Sequence, residues 1–242
     1  MIAMVLCAGH GTRMGDLTRE IPKPMLPIHG KPLLEYTLCY LVRHGIDQVV
    51  INLHFMPEKI QAHFGDGSRL GMRIIYSYEE TLLGTAGGPK KVAHILSRSD
   101  DFLLLYGDLL IDQDLSAMMA FHREKRAMAT LLLHQRRRSN SLVAMDQENR
   151  IVAFLERPTE EQRAENPFPW VNSGVYLLRS AILDRVPPDV PCDFPRDIFP
   201  DLIRSEPCYG FPVSGFRCAI DSPSRYEEAK AAVAEGRYKS PL

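Results

Sequence analysis

The chain has 242 residues, enough for one large α/β domain, and its 45% hydrophobic and 24% charged residues favour a sizeable core over disorder. A net charge of -1 gives no sign of the strongly basic face that a nucleic-acid partner requires. The only dense basic run, Arg136-Arg137-Arg138, is short and reads as a solvated loop. Five cysteines, at 7, 39, 192, 208 and 218, include no CxxC pair, which points to a reducing, cytoplasmic setting without structural zinc. The apolar N-terminus meets glycine after a few residues. It is too short for a signal peptide or a membrane span, so no membrane partner is expected.

In chain order, Ile2 to Cys7 is an apolar run ended by glycines and reads as a buried parallel strand. Pro32 to His44 places Leu33, Leu34, Leu38, Leu41 and Val42 at helical spacing, with proline at its start and Gly45 past its end. Gln48 to Leu53 is a strand, Pro57 to Phe64 a helix and Met72 to Tyr78 a third strand. Gly87 to Leu96 is expected to be helical with Pro89 in its first turn. Phe102 to Tyr106 is a fourth strand, ended by Gly107-Asp108. The alternation predicts an α/β fold with a doubly wound, mostly parallel, Rossmann-like sheet. Ligands of such sheets bind at the carboxyl ends of the strands, so the loops after Cys7, Tyr78 and Tyr106 are expected to converge. Further on, Met128 to His134, Leu142 to Asp146, Ile151 to Glu156 and Val171 to Leu178 read as strands. Asp197 to Ser205 and Ser224 to Glu235 read as helices. No linker divides the chain. A single domain is expected, with a nucleotide half over about 1–115 and an acceptor half over about 116–242.

The stretch Ala8-Gly9-His10-Gly11-Thr12-Arg13-Met14 follows the first strand and precedes Pro22-Lys23-Pro24-Met25. A strand ending in such a turn exposes backbone N–H groups that can cradle phosphates, and Arg13 and Lys23 can offset phosphoryl charge. The full dinucleotide fingerprint and the Walker pattern are both absent. His10 reads as a spacer and Cys7 as a buried strand end.

These residues, together with Leu26-Pro27 and Gly30-Lys31-Pro32-Leu33, resemble the opening of the sugar-1-phosphate nucleotidyltransferases (nucleotide-sugar pyrophosphorylases), over about the first 110 residues and more loosely to about residue 225. The resemblance implies a glycosyltransferase-A-like nucleotidyltransferase fold. It matches Ala8, Gly9, Gly11, Thr12 and Arg13 to the loop around base and triphosphate, and Lys23 to a phosphate-binding lysine. Asp108 matches the aspartate that holds Mg²⁺, a hard cation suited to carboxylate oxygen. Leu83-Gly84-Thr85-Ala86-Gly87-Gly88 matches the segment beside ribose and base, with Gly84 and Thr85 in contact. Glu79 falls where the family places a base-reading side chain. A carboxylate only accepts hydrogen bonds, which favours guanine with its two adjacent N–H donors, and hence GTP. The alternative for Glu79 is a solvated glutamate beside Glu80.

In the acceptor half, Phe154-Leu155-Glu156-Arg157-Pro158 resembles the family's Phe-x-Glu-Lys-Pro. The implied roles are sugar hydroxyls for Glu156 and the sugar's phosphate for Arg157, an arginine where lysine is usual. Asn172-Ser173-Gly174-Val175-Tyr176 resembles Asn-x-Gly-x-Tyr, giving Asn172 and Gly174 as acceptor contacts. Two departures stand out. Where many members carry a second metal aspartate, this chain reads Ala219-Ile220-Asp221-Ser222-Pro223, so either Asp221 serves as the second metal ligand from a shifted position or Asp108 acts with nucleotide and water. Asn140-Ser141 replaces the Tyr-Gly common near the sugar.

The resemblance implies transfer of a nucleoside monophosphate from a nucleoside triphosphate to a sugar 1-phosphate, with pyrophosphate released and Mg²⁺ as cofactor. Its brevity, with no repeat region after the core, resembles the short guanylyl- and uridylyltransferases for mannose, heptose or muramic acid 1-phosphate. Two alternatives stand beside guanylyltransfer: uridylyl- or cytidylyltransfer, the latter also to a choline- or phosphonate-type head group, and an inactive regulatory subunit that binds nucleotide sugar. A homo-oligomer is left open.

Overall fold

The computed structural model describes residues 1–136, 139–166 and 168–241; Arg137 and Arg138 of the basic run lie outside the described residues. The chain packs as two compact units. One comprises 1–82, 105–115 and 214–242, the other 83–104 and 116–213. Two segments thus cross the halves drawn from the sequence. Residues 214–242 join the first unit because the Arg217–Ala219 strand pairs antiparallel with Leu109–Ile111, an edge that the short run after Asp108 did not reveal.

In the first unit, strands Ile2–Leu6, Gln48–Leu53 and Arg73–Tyr78 lie side by side and parallel. Leu6 stands opposite Asn52, and Leu53 opposite Tyr78, so the carboxyl ends align as expected. The Leu33–Arg43 helix buries Leu33, Leu34, Leu38 and Leu41 completely. At about 1.5–3 kcal/mol per buried side chain, this face outweighs the roughly 1 kcal/mol lacking at its start, where Pro32 offers no side-chain cap. Gly45, in the left-handed region at φ 74°, ends the helix as the sequence predicts. The helix Pro223–Ala234 is capped by Ser222, whose hydroxyl accepts from the Arg225 N–H.

In the second unit, Ala129–Gln135 pairs antiparallel with Trp170–Arg179 and parallel with Cys208–Pro212, while Ser141–Met145 pairs antiparallel with Ile151–Glu156. The architecture is therefore α/β on a mixed sheet. The expected helix at Gly87–Leu96 begins earlier, at Gly84, and breaks at Val92 into Gly84–Lys91 and Ala93–Leu96. Pro89 is therefore inside the helix and not in its first turn. The early start comes from a non-local acceptor, Cys192 O, which receives the Ala86 and Gly87 N–H groups at 2.8 and 3.1 Å. The expected Asp197–Ser205 helix is a π turn, Phe194–Ile198, running into the α-helix Phe199–Ser205. Helices Leu115–Glu124 and Glu160–Glu165 were not expected.

The second unit's core centres on Phe199, fully buried, with Tyr176 edge-on at 5.0 Å, Phe194 stacked at 5.5 Å and Phe154 at 5.6 Å. Phe199→Ala is expected to cost about 3–5 kcal/mol of unfolding free energy, checked by urea denaturation.

Candidate active site

Ala8, just past the end of the first strand, is buried, whereas Gly9, His10, Thr12 and Arg13 are exposed. Gly11 takes φ 68°, in the left-handed region, and hands the chain to a 3-10 turn over Thr12–Thr18. The turn is pinned by Thr18, whose hydroxyl donates to Gly11 O at 3.0 Å. A Cβ on Gly11 would stand 3.2 Å from the Lys23 Cβ, so the loop lies directly against Lys23. Lys23, 9% exposed, points its ammonium at Asp108 Oδ2, 2.5 Å away. The structure therefore brings Gly11, Lys23 and Asp108 together in one unit, while Arg13 is exposed on the turn that follows Gly11.

Asp108 sits on the turn after the Asp101–Tyr106 strand. Gly107 N–H donates to Leu6 O at 2.9 Å, and a Cβ on Gly107 would meet Leu6 O and Cys7 Sγ at 2.6 Å. Only glycine lets this turn close on the loop strand. Burial, then the charge of Asp108, push the Cys7 thiol far above its ordinary range, which matches an inert strand end. Ile220 N–H donates to Asp108 O at 2.9 Å, so Asp221 follows directly on the segment paired with Asp108, half-buried and just before the Ser222 cap.

No group of three or more His, Cys, Asp or Glu side chains suited to a metal occurs among the described residues. Asp108, with Asp221 beyond Ile220, offers hard oxygen donors only. That sparse set fits Mg²⁺, which keeps several waters and takes phosphate oxygens as further ligands.

Glu79 departs from the solvated alternative. It is 1% exposed, and its Oε1 accepts from Asn52 Nδ2 at 2.8 Å, while Asn52 Oδ1 accepts the Cys7 N–H at 2.8 Å. His54 Nδ1 lies 2.8 Å from Glu79 O, and His10 packs edge-on against His54 at 4.8 Å. Asn52 was missed by sequence reasoning. The signal was a lone amide in the apolar run Val49-Val50-Ile51-Asn52-Leu53.

In the second unit, Gly84 takes φ 77°, and a Cβ there would meet Cys192 O at 2.6 Å. Both the Thr85 N–H and its hydroxyl donate to Asp193 Oδ1, at 3.0 and 3.1 Å, so these two donors already have a protein acceptor. Asn172 Nδ2 donates to the Tyr176 hydroxyl at 2.6 Å, and Asn172 Oδ1 accepts the Gly174 N–H at 2.9 Å. Arg157 is exposed, held at φ 49°, with its N–H on Asn140 O at 2.5 Å. Asp193 was also missed, and nothing in its local sequence marks it.

Burial raises the Glu156 carboxyl from an ordinary 4.5 to about 7; Arg157 opposes the shift and Asp193 adds to it. The folded chain then binds more protons than the unfolded one between those values. The contribution of Glu156 to stability is full below about 4.5 and is lost as pH rises through 7. Glu156→Gln should flatten that part of the pH dependence and raise the melting temperature relative to the parent at pH 8. Parallel melting curves would expose a failure.

A family model described as nucleotidyl transferase matches residues 2–217. UTP–glucose-1-phosphate uridylyltransferase of Synechocystis sp. is 37% identical over 219 residues, 85% of this chain and 56% of that protein. Mannose-1-phosphate guanylyltransferase of Mycobacterium tuberculosis is 37% identical over 243 residues, 99% of this chain and 66% of that protein. The chain thus spans less than two thirds of the length of either. D-glycero-α-D-manno-heptose 1-phosphate guanylyltransferase of Aneurinibacillus thermoaerophilus is 31% identical over 233 residues, covering 95% and 97% of the two chains. The crystal structure of HddC from Yersinia pseudotuberculosis shares the fold, with a TM-score of 0.80 at 20% identity over 96% of this chain and 99% of that one. With a family match across most of its length and relatives above 30% identity, the chain belongs to the nucleotidyl transferase family.

Proposed function

We propose that the chain transfers a nucleoside monophosphate from a nucleoside triphosphate, GTP by preference, to a sugar 1-phosphate, forming a nucleotide sugar and pyrophosphate. The observation that carries this reading is the Lys23–Asp108 ion pair beside the glycine loop. Each partner satisfies the other's charge in the free chain. A magnesium-bound triphosphate brings both signs at once, so Lys23 can turn to phosphate oxygen and Asp108 to the cation.

The acceptor's phosphate oxygen is already ionised at neutral pH, so an in-line attack on the α-phosphorus needs no general base. The exposed N–H groups of Gly9 to Thr12 hold phosphate oxygens, and Arg13 and Lys23 offset the charge of the leaving pyrophosphate. Asp108 and Asp221 would hold Mg²⁺, which when bound would supply further neutralisation of phosphate charge. Glu156, Asn172 and Gly174 orient the sugar, and Arg157 holds its phosphate. The preference for GTP rests on two of the relatives, named as guanylyltransferases, because Glu79 faces Asn52.

A second reading, transfer to a cationic head group such as a choline phosphate, draws on Asp193 acting on Glu156, two acid groups in one neighbourhood. Pyrophosphate release from a panel of triphosphates, sugar 1-phosphates and choline phosphate ranks the readings. Turnover with no pair would sink both.

Asp108→Asn should lower kcat by about 100-fold or more and weaken the dependence on Mg²⁺. Parent-like kinetics across a magnesium titration would remove Asp108 from the metal site.

A further inference from the structure

The interior of the first unit holds a buried polar chain that the proposed chemistry does not use. Glu79 and Asn52 are 1% and 3% exposed, and Cys7 is 3% exposed. Glu79 Oε1 accepts from Asn52 Nδ2, and Asn52 Oδ1 accepts from the Cys7 backbone N–H, each at 2.8 Å. Glu79 is itself anchored, with its N–H on Leu53 O at 2.8 Å and its carbonyl on the His54 ring.

Cys7 is the last residue before the Ala8–Gly11 turn, and Leu6 just ahead of it accepts the Gly107 N–H. The chain of bonds therefore ends at the point where the phosphate loop and the Asp108 turn meet. An apolar strand end would leave the Cys7 N–H without this acceptor inside the protein, at a cost that makes Asn52 expensive to lose. Burying a carboxylate is costly, and the Asn52 donor is one of the groups that offset that cost for Glu79.

We infer that Asn52, oriented by Glu79, is a positioning residue that fixes the Cys7 N–H and through it aims the glycine loop and the Asp108 turn at the triphosphate. This rests on the proposed nucleotidyl transfer and moves Glu79 from reading the base to setting the loop. The amide faces two ways: its oxygen takes the backbone hydrogen and its nitrogen supplies the carboxylate. Only a side chain with both functions fits between a donor and an acceptor.

The direction of those bonds gives a test. Asn52→Asp keeps an acceptor for Cys7 but loses the donor to Glu79, setting two carboxyl groups face to face. In the double variant N52D/E79Q, the amide introduced at position 79 donates to the carboxylate introduced at position 52, so the 52–79 bond is restored with its direction reversed while the Cys7 N–H keeps its acceptor. N52D should lower kcat/KM for the triphosphate by about 100-fold, with kcat carrying most of the loss, since misaim of reacting groups by about 1 Å has that effect. The double variant should recover most of the loss, and E79Q alone should keep the ranking of GTP, UTP and CTP. Amide hydrogen exchange over residues 7–13 should quicken in N52D and slow again in the double variant. Asn52→Ser, a smaller acceptor, is measured beside N52D in case the latter fails to fold.

A reordered triphosphate preference in E79Q, with a double variant no better than N52D, would overturn the inference in favour of base reading. Exchange over 7–13 unaltered in N52D and N52S would overturn it as well. The exchange readout needs no substrate, so it judges the relay even if the panel shows that the chain transfers nothing.

Discussion

The site depends on one electrostatic constraint: a nearly buried ammonium and a partly buried carboxylate held in contact next to an exposed glycine loop. Lys23 has little water around it to solvate its charge, and Asp108 is the partner that replaces that water. The short turn Lys23–Met25 between prolines and the glycine at 107 fix the two side chains from opposite directions. Separating the pair without a replacement for each partner would leave a largely buried charge unsatisfied.

That constraint reaches outward by hydrogen bonds and not by bulk packing. Gly107 to Leu6, Cys7 to Asn52 and Asn52 to Glu79 tie three strand ends of the first unit to the same few ångströms of loop. The second unit shows the same device at another turn. Asp193 collects both donors of Thr85, and Cys192 O collects the next two backbone N–H groups, so the helix start at Gly84 is fixed by a segment over a hundred residues away in sequence. At Gly84 the leftover backbone donors find a distant acceptor, whereas the helix Pro223–Ala234 relies on the local Ser222 cap.

Sequence reasoning succeeds where hydrophobic periodicity and glycine chemistry act locally. The strands Gln48–Leu53 and Ile151–Glu156 and the helix Pro57–Phe64 fall on their expected bounds, since each is set by its own residues. The turn at Gly11 was legible from motif and strand position, whereas the ion pair between Lys23 and Asp108, 85 residues apart, was not. The helix start at Gly84, the inward turn of Glu79 and the part played by Asp193 were not. Each depends on a partner remote in sequence, and a lone Glu-Glu or Cys-Asp pair carries no trace of it. Pro89 misled for a related reason: proline's preference for a first turn is a local rule, and here a distant carbonyl moved the helix start upstream of it.

The first unit is assembled from three separated stretches of chain, and its last one supplies both the strand beside Leu109–Ile111 and a helix whose Tyr226 hydroxyl donates to Pro27 O. During synthesis the core cluster around Met14, next to the glycine turn, therefore stays incomplete until residues 214–242, which supply Cys218, Ile220 and Tyr226, leave the ribosome. Most of the second unit can condense meanwhile, as its strands pair among themselves. The glycine turn would then be among the last parts of the first unit to become native.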